Sequence, residues 1–85
     1  MSRSGIVAVV DPDQSAIAIR TADGEYTIVE IASDWSPQVG DRIVWDNDDG
    51  LGFEIYRNAS RNDEGDVFVQ NHYVNEQMMR VQFPG

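Results

Sequence analysis

The chain is 85 residues long and carries 15 acidic residues against 6 basic ones, for a net charge of -9. Every basic residue is arginine, and cysteine is absent, which excludes disulfides, thiolate metal sites and a thiol nucleophile. The length fits one domain with a small core, the 41% hydrophobic content is too high for a purely disordered acidic tail, and the charge works against nucleic acid and anionic membranes at long range.

Ile6-Val7-Ala8-Val9-Val10 is a β-branched run that ends at Asp11-Pro12-Asp13-Gln14, a cluster with turn chemistry. Five apolar residues are too few for a signal-peptide core, and no run approaches a membrane span. A cytoplasmic protein without membrane contact is the expectation. Ala16 to Thr21 is a second strand that alternates small and large, with Ile17 and Ile19 on one face. Asp23-Gly24 is a hairpin signal, because glycine readily takes the positive φ such turns need. Tyr26 to Ile31 follows as a third strand.

Ala32 to Gln38 contains Pro37 and reads as a loop, and Val39-Gly40-Asp41 as a tight turn into a fourth strand, Arg42 to Trp45. Asp46-Asn47-Asp48-Asp49-Gly50 is the sharpest break. Leu51, Phe53 and Ile55 then alternate with Gly52, Glu54 and Tyr56, the pattern of a half-buried fifth strand. Asn58 to Gly65 is polar and loop-like, and Asp66 to Gln70 is a sixth extended segment. Asn75 is a helix cap with Glu76 in the first turn, and Val74, Met78 and Val81 fall at helical spacing. Short strands separated by turns predict an all-β fold, a five-stranded OB-like barrel with a sixth strand and a short C-terminal helix. The chain reads as a single domain over 1–85, with a barrel core at about 5–57 and a C-terminal extension at 66–83.

The order of elements resembles cold-shock-type OB folds: Gly5 to Val10, a turn, a second strand, and an Asp-Gly turn before strand three. Val39-Gly40-Asp41-Arg42-Ile43-Val44 is similar to the entry to strand four in many such barrels. More closely, the chain resembles a group of small uncharacterised bacterial proteins of OB-like plan, through Asp23 to Thr27 and through Asn58 at the end of strand five. The resemblance covers roughly residues 5–73 and speaks for fold more than function. It departs from the cold-shock pattern in strand two, where Ala16-Ile17-Ala18-Ile19 holds no aromatic. Gly50-Leu51-Gly52-Phe53 and Asp66-Val67-Phe68-Val69 look locally like the two aromatic cold-shock motifs, but in strands five and six.

A non-catalytic interaction module that binds a protein is the expected function, with no cofactor and no metal. Met78, Met79 and Phe83 are its candidate contacts, because the segment 67–85 holds only Glu76 and Arg80 as charges. Monomer or weak dimer is the expected state. The alternative is a single-stranded nucleic-acid binder, which needs stacking aromatics beside positive charge. Its candidates are Tyr26, Trp35, Tyr56, Phe68 and His72 with Arg20 and Arg57; Trp45, Tyr73, Arg42 and Arg61 stand behind them. Against this, Trp45 and Phe53 are expected to fill the barrel, Trp35 to cover an open end, and the arginines to pair with local carboxylates. The acidic turn at Asp46 fails the EF-hand pattern, with Gly50, Leu51 and Arg57 where Asp or Asn, Gly and Glu belong. His72 is the lone histidine and has no ligand spacing around it.

Overall fold

The computed structural model describes residues 2–84. Six strands and one helix follow in order: β1 (Arg3–Asp11), β2 (Ala16–Thr21), β3 (Tyr26–Ile31), β4 (Arg42–Trp45), β5 (Gly52–Asn58), β6 (Asp63–Val74) and α1 (Glu76–Gln82). The strands form a closed antiparallel barrel in the order β1-β2-β3-β6-β5-β4. It is a small OB-like barrel made of two three-stranded meanders, joined where β3 meets β6 and where β1 meets β4. The segment from 66 onward is therefore not an appendage: β6 is the strand that closes the barrel, and only α1 lies outside.

Local chemistry explains the turns. Gly24 sits at φ 82°, and the Asp23 carboxylate accepts from the Thr21 hydroxyl and from the Glu25 amide. Gly40, at φ 95°, donates its amide to Val7 O. The β5–β6 hairpin begins earlier than its polar sequence suggests, because Asn58 pairs with Asp63 and Arg57 with Glu64. Arg57, Asp63 and Glu64 face solvent there, and the buried Asn58 is hydrogen-bonded, so polar residues extend the ladder.

Two cores result. Val7, Ile17, Ile19, Val29, Ile43, Trp45, Tyr56, Val67 and Val69 fill the interior, with Trp35 closing one mouth. The indole of Trp35 donates to Asp63 Oδ1 at 2.8 Å. Gly65 lies against it, with no room for a Cβ. The second core is outside the barrel. Ala16, Ala18, Tyr26 and Ile28 receive Met79 and Phe83 of α1 and its C-cap. The alanines of β2 thus serve as a flat bed for the helix. Asn75 caps α1 by accepting from the Met78 amide at 2.8 Å.

Candidate functional site

β5 is turned relative to its sequence pattern. Tyr56 and Asn58 point inward and are buried, while Leu51, Phe53 and Ile55 point outward. Phe53 is 77% exposed, which corrects the expectation that it fills the barrel. Alternation gives the period of a strand but not which face is the inner one. The inner face was decided by partners: Tyr56 stacks on Trp45 with ring centroids 4.6 Å apart and planes 2° apart. Asn58 donates to Asp41 Oδ2 at 2.8 Å and accepts from the Ser60 and Arg61 amides.

Phe53 and Ile55 form an outward apolar face with Phe68 of β6. Phe53 stands opposite Phe68, and the rings meet edge to face at 5.0 Å and 82°. Phe53 is the more open of the two, and Phe68 is 39% exposed. Carboxylates border the face. Glu30 is opposite Phe68 on β3, and Asp66 is opposite Ile55. Asp46 holds Arg57 at 3.1 and 3.3 Å. That guanidinium, through hydrogen bonding and charge, keeps the Asp46 carboxyl below its ordinary range. A shallow depression of 760 Å³ runs between Phe53, Ile55, Asp46, Asp66 and Ala32.

The residues singled out for nucleic-acid contact are scattered. Tyr26, Trp35 and Tyr56 are buried and present no ring face. Burial also pushes the Tyr56 hydroxyl pKa upward, so it stays neutral. His72 is half-buried, and both of its ring nitrogens are engaged. Nε2 lies 3.1 Å from Gly50 O and must donate to it, so Nδ1 accepts from the Thr27 hydroxyl at 2.8 Å. His72 therefore ties β6 to β3 and to the 46–50 turn. Arg57 is paired with Asp46, Arg20 is exposed on β2, and Phe68 alone of the predicted aromatics lies on the open face. Arg61 reaches Asp41 at 2.7 Å.

The C-terminal candidates divide by helical phase. Met79 and Phe83 are buried against β1–β3, and Met78 is 57% exposed beside Val81. In the sequence the two local strings around Phe53 and Phe68 stand apart, and Phe53 reads as a core residue. The signal that they form one face is the strand pairing, which brings 53 and 68 together.

Among the described residues no group of three or more His, Asp or Glu stands close enough to hold a metal ion. No helix among them is long and apolar enough to cross a membrane. Comparison of the chain with protein-family models, curated proteins and solved structures finds no match.

Proposed function

We propose that this chain is a non-catalytic binding module whose β5–β6 face docks a protein partner carrying apolar and cationic side chains. The observation that supports it is Phe53: a phenylalanine 77% exposed, aligned edge to face with Phe68, with Ile55 along the same strand and exposed Leu51 just before it. Leaving such a row in water is costly to solubility, and contiguous apolar patches with polar rims mark interaction surfaces. The rim of Glu30, Asp46 and Asp66 selects for positive charge in the partner.

The test compares proteins captured by immobilised wild type, by Phe53→Ser with Phe68→Ser, and by Met78→Asp. The reading expects a cationic partner that is lost with the first variant and kept with the second. Identical capture by all three would sink it; loss with Met78→Asp alone would move the surface to α1.

Single-stranded nucleic acid is a second reading, favoured by one observation. Phe53 and Phe68 are neighbouring exposed aromatics on adjacent strands, an arrangement on which bases stack. The bordering carboxylates repel the phosphates such a ligand carries. Fluorescence titration with mixed single-stranded DNA and RNA at low salt decides it. Silence there, where screening is least, removes this reading.

A further inference from the structure

The arginines are not used alike. Arg3 lies 3.7 Å from both Asp23 and Asp48, Arg57 3.1 Å from Asp46, Arg61 2.7 Å from Asp41, and Arg80 3.4 Å from Glu76. Among the described residues, Arg20 and Arg42 have no carboxylate within ion-pairing distance. The register brings these two together. Ile6 of β1 stands opposite Arg20 on β2 and opposite Arg42 on β4. All three are exposed, with Ile6 at 46%, and they line one depression of 610 Å³. Strands lie about 4.8 Å apart, so the arginine Cα atoms are about 10 Å apart across β1. On a chain of net charge -9, this is a local cationic strip with an apolar centre.

A strip of the opposite sign crosses β5. Ile55 stands opposite Asp66 on β6. On its other side the β4–β5 ladder ends at Val44–Arg57, and Asp46 follows the end of β4 there, paired with Arg57. Asp46, Ile55 and Asp66 line one depression. The two strips carry opposite charge around a central isoleucine: Arg20–Ile6–Arg42 and Asp66–Ile55–Asp46. Arg57 shares the Asp46 carboxylate, so Asp66, with Glu30 one row further along, supplies the unpaired negative charge. β1 and β5 flank β4 in the barrel, so the strips point in different directions and one molecule cannot satisfy its own.

We infer that the partner of the β5–β6 face is a second copy of this chain, docked through its Arg20–Ile6–Arg42 strip. This rests on the docking role proposed above for that face. The contact is heterologous: each copy uses one strip of each kind, so association proceeds head to tail rather than stopping at a symmetric pair.

Sedimentation velocity of the full chain at rising concentration tests this. The wild type shows a mass that climbs with concentration. A variant carrying Arg20→Glu and Arg42→Glu, and another carrying Glu30→Arg and Asp66→Arg, each stay monomeric alone. None of the four side chains makes a hydrogen bond or ion pair among the described residues, so both variants keep the fold, as thermal melts will verify. Mixed in equal amounts, the two variants form a complex, because each strip meets its inverse on the other molecule. A wild type that stays monomeric throughout overturns the inference, as does a mixture that never exceeds monomer mass. If the wild type is monomeric while Phe53→Ser still loses a cationic partner, self-pairing fails and the docking face stands. If Phe53→Ser with Phe68→Ser self-associates like the wild type, the docking face fails with it.

Discussion

The inverted β5 makes a sharp quantitative claim: its phenylalanine contributes less to stability than its tyrosine. Phe53 is 77% exposed, so roughly a quarter of its side chain is buried. Full burial of such a side chain stabilises by about 1.5–3 kcal/mol, which leaves about 0.5 kcal/mol here. The edge contact with Phe68 adds about 0.5–1.5 kcal/mol. Phe53→Ala therefore costs about 1–2 kcal/mol. Tyr56 is fully buried and stacked on Trp45, and truncating a buried aromatic to alanine costs about 3–5 kcal/mol. At roughly 0.05–0.15 kcal/mol of stability per residue, that is a large share of what a domain of this size has. Urea unfolding followed by tryptophan emission measures both, since Trp35 and Trp45 are buried in the fold and exposed on unfolding. Equal costs, or a larger one for Phe53→Ala, would mean that β5 presents its other face to the core, and the proposed site would go with it.

Other expected outcomes concern the supports of the barrel. Asp41 accepts from the Gln38 amide, Asn58 and Arg61, and those bonds hold its carboxyl below the ordinary range. Its folded pKa is thus lower than its unfolded one, so this stabilisation is present at neutral pH and is lost as pH falls through and below the usual carboxylate range. Asp41→Ala costs about 2–4 kcal/mol at pH 7 by denaturant unfolding, and the difference from wild type shrinks at about pH 3. Asn75→Ala removes the cap of α1 and costs about 1 kcal/mol, with faster hydrogen exchange confined to 76–82. Gly65→Ala drives a methyl group into Trp35 and costs about 1–3 kcal/mol, read as a red shift of tryptophan emission as the ring is displaced.

Much of the scaffold was legible because its local signals agree. β2, β3 and β4 have the bounds their apolar runs and turn residues suggest. Asn75 and Glu76 announced α1. What stayed hidden depends on long-range pairing. The hydroxyl of Tyr56 and the amide of Asn58 read as solvent-facing groups, yet Trp45 and Asp41 draw them inward. The polar start of β6 read as a loop, because its hydrogen bonds come from β5 and not from any feature of Asp63 to Gly65 themselves. The sequence predicts arginines paired with local carboxylates, and Arg3, Arg57, Arg61 and Arg80 are so paired; that Arg20 and Arg42 are not depends on which carboxylates the barrel sets beside them.

The ladders of the barrel are also unequal. β5 is in register with β6 along its whole length, from Gly52 to Asn58, but with β4 only at Ile43–Asn58 and Val44–Arg57. Opening at that seam breaks the fewest backbone bonds, so subglobal unfolding begins there. The amides of β4 will exchange with solvent ahead of those in β2 and β3. What slows the opening is the Trp45–Tyr56 stack, which bridges the seam with side chains where the backbone does not.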